Sequence, residues 1–147
     1  MNIDDIMKQW QADCVIDRNN LDEVSRQTPT LHAKYLQLLS EAKLRLKREE
    51  MKQKTLLKDK WLYYNGKLSQ EEIDAKGWDY DPLNGLKIMK GEMNYYYDSD
   101  KEIQDSELKV QYYKTCIDTL TDIVDSLKWR HQTIGNMIRW RIFESGG

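Results

Sequence analysis

Residues 101–140 read KEIQDSELKVQYYKTCIDTLTDIVDSLKWRHQTIGNMIRW. Within them Ile103, Val110, Tyr113, Ile117, Leu120, Val124, Leu127, His131, Ile134 and Ile138 step mainly by threes and fours, and Cys116, Ile123 and Met137 broaden the stripe. A repeat near 3.5 residues sustained over this distance predicts a long bundle or coiled-coil helix. The periodicity covers about residues 100–144, with Gly135 as its one weak point. Ser99, followed by Glu102, has the capping-box pattern that would start it.

Working outward, Thr28 followed by Pro29 is a helix-start signal, and no breaker follows until Asn65 and Gly66. A second long helix is therefore expected over about 29–65. Asn2 can cap a short N-terminal helix carrying Ile3, Ile6, Met7 and Trp10 on one face, and Asp17 to Asn20 reads as a turn. From Gly66 to Asp98 the texture changes: Gly66, Gly77, Gly85, Gly91 and Pro82 are interspersed with Glu71, Glu72, Asp74, Asp79 and Asp81. This predicts a flexible linker with a short helix near Leu86 to Tyr97. The expected fold class is all-α, in a single domain over 1–147. Its N-terminal helices occupy 1–66, the linker 67–98 and a long C-terminal oligomerisation helix 99–147.

Composition narrows the function. The chain has 147 residues, 33% charged and 39% hydrophobic, with few breakers, which suits long helices. Cys14 and Cys116 are its only cysteines and His32 and His131 its only histidines, so neither a disulfide framework nor a zinc site is expected. The cysteines read as small core residues and His131 as a packing residue of the seam. The first residues carry acids and no apolar run, so no signal peptide or membrane span is expected. Gly66, Lys67, Leu68 and Ser69 brush against a phosphate loop, but Trp61 and Leu68 stand where that motif needs Gly and Ser or Thr. The acids from Glu71 to Asp81 lack calcium-loop spacing. No catalytic constellation is present, so no enzyme and no cofactor are expected.

The charge is unevenly spread. Lys43, Arg45, Lys47, Arg48, Lys52, Lys54, Lys58 and Lys60, against Glu49, Glu50 and Asp59, make the 43–60 stretch +5 in a chain of net −2, leaving −7 elsewhere. On a helical wheel with Lys43 at zero, Lys54, Lys47 and Lys58 fall at about 20°, 40° and 60°, and Trp61 returns near zero. Arg45, Arg48 and Lys52 form a second basic face at about 140–200°. The apolar face holds Leu31, Tyr35, Leu38, Leu39, Ala42, Leu46, Leu56, Leu57 and Tyr64, interrupted by Glu49, Gln53 and Lys60. Lysines supply mobile charges for phosphates, and the adjacent Trp61, Tyr63 and Tyr64 suit unpaired bases, which single strands expose. A solvated charged face is the plainer alternative.

Near the C-terminus, Trp129, Arg130, Met137, Arg139, Trp140, Arg141 and Phe143 carry the residue types of interface hot spots. Together with Ile117, Leu120, Val124, Leu127, Ile134 and Ile138 they are expected to form a subunit interface, since two long helices cannot easily bury so much apolar surface alone.

The segment Leu57, Lys58, Asp59, Lys60, Trp61, Leu62, Tyr63, Tyr64, Asn65, Gly66 resembles the L-K-x-[RK]-x-x-Y-Y-x-G motif of the UvsY-type recombination mediators of T4-like bacteriophages. Val15, Ile16, Asp17 and Leu21, then Lys90, Glu92 and Met93, then Phe143, Glu144 and Gly146 match in the same order, so the resemblance covers nearly the whole chain. It implies a ring-shaped homo-oligomer of six or seven subunits that binds single-stranded DNA. Such a protein loads a RecA-like phage recombinase onto strands coated with single-strand binding protein, in the cytoplasm of the infected host, during recombination, replication and repair. It also implies that Lys58 and Lys60 form the DNA-binding pair and that the C-terminal helix mediates assembly. The alternative from residues alone is a coiled-coil adaptor whose basic face meets an acidic protein.

Overall fold

A computed structural model of the chain describes residues 2–146, and the elements among them are α-helices with no strand. They are α1 (Ile3–Asp13), α2 (Leu21–Tyr64), α3 (Gln70–Lys76), α4 (Met93–Ser99) and α5 (Lys101–Glu144). The chain divides into two compact units, Met1–Leu44 with Tyr113–Gly147 and Arg45–Tyr112. The division falls inside both long helices.

In the first unit, α1 starts as expected: Asn2 Oδ1 accepts the Asp5 N–H at 2.8 Å. The core gathers Ile6, Tyr35, Leu39, Ala42, Leu120, Ile123, Val124 and Leu127, with Trp10, Leu31, Leu38 and Ile117 packed against it. Trp10 meets Tyr35 edge-on at 5.5 Å between centroids, one of the preferred aromatic geometries. Tyr35 is fully buried and its hydroxyl donates to Asp13 Oδ2 at 2.8 Å, so its polar end is satisfied at the end of α1.

Helix α2 begins at Leu21, eight residues before Pro29. The Asp17 turn supplies the start: its carboxylate accepts from Asn19 N and Asn20 Nδ2, and Val24 N then donates to Asn20 O. Asp22 and Glu23 in the first turn favour the helix dipole. Pro29 therefore lies inside the helix, where it removes one backbone donor. The local signal at Thr28–Pro29 does not start the helix, which the turn at Asp17 to Asn20 already precedes; the Thr28 hydroxyl turns back to Val24 O at 2.9 Å.

The seam of α5 also differs from the expectation. Leu120, Val124, Leu127 and Ile134, assigned above to a subunit interface, are each no more than 4% exposed, and Ile117 packs against the core. His131 is exposed and Ile138 is 43% exposed, while Arg130 is buried. A straight helix of 3.6 residues per turn drifts by about 20° per heptad, so the series that starts in the core at Ile117 and Val124 has left it by His131 and Ile138. The buried set is Cys116, Leu120, Ile123, Val124, Leu127, Arg130 and Ile134. Arg130 reaches the end of α1 and the turn after it, donating to Asp13 O at 3.2 Å and Val15 O at 3.3 Å. Cys14, read as a core residue, is exposed, whereas Cys116 is buried.

In the second unit, the segment read as a flexible linker contains α3. Ser69 caps it in a reciprocal pair with Glu72, and Gly77 ends it at φ 73°. Ile73 is buried, and Trp78 lies 4.9 Å from the Tyr63 ring. The short helix expected near 86–97 is α4, displaced toward the C-terminus. Asp100, rather than Ser99, caps α5: its Oδ1 accepts the Ile103 N–H at 3.1 Å, and its carbonyl accepts from Gln104 N. Ser99 is occupied with Tyr95 O at 2.7 Å.

Candidate nucleic-acid interface

The outer cations of α2 in the second unit are Arg45, Lys47, Arg48, Lys52, Lys54 and Lys58, all exposed. Lys52 pairs with Glu49 at 3.3 Å. Among the described residues, Arg45, Lys47, Arg48, Lys54 and Lys58 enter no ion pair. Lys43 is likewise exposed, upstream on the same helix but within the first unit. Asp59, the acid between Lys58 and Lys60, is held by Lys76 at 3.1 Å, which offsets its charge beside the stripe. Trp61 is 41% exposed, with Lys67 Nζ 4.7 Å from its ring centroid. Exposed Met51, on the basic side of the wheel, was not singled out from the sequence, and Lys67, beyond the helix stop, was weighed there only within the rejected phosphate loop.

Lys60 does not join this surface. It is 4% exposed, with Nζ 3.0 Å from Asp100 Oδ2 and 3.7 Å from Glu102 Oε1. The ammonium lies 4.0 Å from the Trp78 ring centroid and 5.5 Å from that of Tyr63. Trp78 Nε1 donates to Glu102 Oε1, and Tyr64 Oη donates to Asp100 Oδ2 at 2.6 Å. Lys60 is thus enclosed by carboxylates and aromatic faces, and in this arrangement it cannot reach a phosphate. The expectation of direct contact is corrected here: a charge on the packing face was answered by a buried counter-charge. The other interruptions of that face also find polar partners, though not buried ones. Gln53 donates to Glu107 at 2.7 Å, and Glu49 meets Lys109 at 3.5 Å.

Burial pushes the Asp100 carboxyl up, but hydrogen bonds from Tyr64, Lys60 and the Ile103 N–H, with the Lys60 charge, outweigh it and hold the pKa below its ordinary 3.8. Asp13 behaves alike: burial raises it, and Lys34 and Tyr35 bring it below 3.8. Burial, then the hydrogen bond to Asp100, raises the Tyr64 hydroxyl. A depressed carboxylate contributes stability that is complete above its unfolded pKa and is lost as pH falls through the folded value. Denaturant midpoints should therefore decline below about pH 4, and Asp100→Asn should shrink that decline. An acid profile identical in wild type and variant would contradict this role. The raised tyrosine has the opposite sign, so its contribution is lost above about pH 10.

The exposed residues of the C-terminal end of α5 form a separate surface in the first unit. Trp129, Ile138, Trp140, Ile142 and Phe143 are all more than 40% exposed, and Trp140 stacks on Phe143 at 5.3 Å. Of the residues assigned to an interface, Trp129, Ile138, Trp140 and Phe143 are the ones left available.

A family model described as recombination, repair and ssDNA binding protein UvsY matches residues 9–147. The recombination protein uvsY of Enterobacteria phage T4 is 25% identical over 146 residues, covering 99% of this chain and 99% of that protein. The fold is similar to crystal structures of the bacteriophage T4 recombination mediator protein UvsY. One lattice form has a TM-score of 0.82 at 24% identity, covering 99% of this chain and 98% of that one. A second has a TM-score of 0.79 at 25% identity, covering 95% and 98%.

Proposed function

This chain belongs to the UvsY family of recombination mediators, and from that premise we propose that it binds single-stranded DNA through the outward cations of α2. It then helps load a RecA-like recombinase onto strands covered by single-strand binding protein, in the cytoplasm of the phage-infected host. The observation that carries the DNA-binding step is the row of exposed, unpaired cations Arg45, Lys47, Arg48, Lys54 and Lys58 leading to exposed Trp61. Exposed cations exchange counterions for phosphates, and an exposed indole stacks on bases of any sequence. Lys43 and Lys52 add charge at the margins. Lys60 contributes from behind, by fixing the last turns of α2 against the start of α5.

The proposed assembly is a homo-oligomeric ring. Repetition of a modest site around a ring raises avidity without new contacts, which suits a protein that must compete with a resident coat on the strand.

The test is the salt dependence of binding to short oligo-dT. Log affinity should fall with log salt at a slope of about −0.7 per phosphate neutralised. Lys58→Ala should make the slope shallower by about one such increment. A slope unaffected by Lys58→Ala and by Lys54→Ala removes the stripe from the site. Failure to bind any oligonucleotide would favour an acidic protein as the partner of this face.

A further inference from the structure

Beyond the end of α2, still within the second unit, lies a cavity of about 490 Å³. Its volume falls in the range of roughly 300–1,000 Å³ typical of small-molecule sites. The walls include Tyr63, Tyr64 and Tyr80, and Lys67 and Lys87 also line it. Asp81 is the acid among these lining residues, and one of its oxygens accepts the Gly85 N–H at 2.9 Å.

The rings of Tyr63 and Tyr64 are held in place, since their hydroxyls donate to Asp79 O and Asp100 Oδ2. Tyr80 is different: it is 67% exposed, and Leu86, also at the cavity, is 74% exposed. At the helix end the carbonyls of Leu62 and Tyr63 are engaged by backbone donors. Lys67 N donates to Leu62 O at 2.8 Å and Gly66 N to Tyr63 O at 3.2 Å, closing the last turn. Lys67 also continues the basic stripe, because its ammonium lies over the exposed Trp61 ring.

We propose that this cavity is a subsite for one base of single-stranded DNA, with Tyr80 as its stacking platform and Lys67 and Lys87 contacting the flanking phosphates. The inference rests on the DNA-binding reading above and extends the path of the strand from Lys54 and Lys58, past Trp61, to the 80–88 loop. An aromatic wall favours a base over a bare phosphate, and paired bases of a duplex could not enter. The two cations against one engaged acid favour an anionic backbone at the rim.

The experiment titrates the full chain with oligo-dT and with an abasic strand of equal length at fixed low salt, read by fluorescence anisotropy. Tyr80→Ala should weaken oligo-dT binding about tenfold and leave the abasic strand unaffected. Lys87→Ala should weaken both strands by a similar factor. Because both side chains are exposed, thermal melting of the variants should match wild type. Equal oligo-dT affinity in Tyr80→Ala and wild type, while Lys58→Ala still weakens binding, overturns the subsite alone. Wild-type protein that binds neither strand overturns the DNA-binding reading and the subsite together.

Discussion

Lys60→Ala is expected to destabilise the second unit by about 3–5 kcal/mol, because it strands a buried carboxylate without its partner. Asp100 would keep Tyr64 and the Ile103 N–H but lose the ammonium at 3.0 Å, in a site where its side chain is 5% exposed. Trp78 would lose the cation over its ring at the same time. Urea unfolding followed by near-ultraviolet dichroism measures the effect. The decisive companion is Lys60→Met with Asp100→Asn, which removes both charges and should recover much of the loss, as replacing a buried ion pair is often nearly neutral. DNA binding separates a support role from phosphate contact. In a variant that still folds at low temperature, affinity falls but the salt slope keeps its wild-type value, in contrast to Lys58→Ala. A shallower slope in the folded Lys60→Met, Asp100→Asn protein would sink the support role.

Replacing Trp140 and Phe143 together with Ser is expected to dissolve the proposed ring into monomers or small species in sedimentation. Their stacked rings are 61% and 71% exposed, so the change removes contact surface without opening a core cavity. Aromatic anchors of this kind commonly cost 2 kcal/mol or more each (roughly) when truncated at an interface. If a ring multiplies a weak protomer site, its loss should reduce affinity for long single strands by about 10²–10⁴, while short oligonucleotides lose little. A large particle persisting in the double variant would overturn the assignment. Deleting the whole end of α5 is a poorer test. Ile134 is buried, Arg130 holds the end of α1 and the turn after it at Asp13 and Val15, and Arg141 donates to Arg18 O at 2.8 Å.

The helical class and the long helices were legible because their signals are local and repeated: apolar spacing, few breakers, and caps such as Asn2. Errors came where two local signals competed. Thr28–Pro29 lost to the Asp17 turn, and Ser99 lost to Asp100, whose carboxylate is fixed from a distance by Lys60 and Tyr64. A heptad template also hid the difference between 3.5 and 3.6 residues per turn, which decides whether Arg130 or His131 faces the core. The outward cations were readable from the wheel. The fate of Lys60 was not, because its counter-ion lies on another helix and no spacing rule links them. Tyr80 and Lys87 escaped notice because they are in an irregular loop, where periodicity carries no information.

The polar partners Glu49 with Lys109, Gln53 with Glu107 and Lys60 with Asp100 run in opposite chain directions along the two helices. Leucine-rich faces tolerate sliding, since one apolar contact replaces another. A slip of one turn, about 5.4 Å, would misalign all three polar matches at once. These matches therefore act as the teeth of a key: they add little to adhesion, yet they permit a single longitudinal alignment of the helices. Because the outward lysines ride on the same backbone, that alignment also sets where the basic stripe ends and where the cavity beside Tyr80 opens.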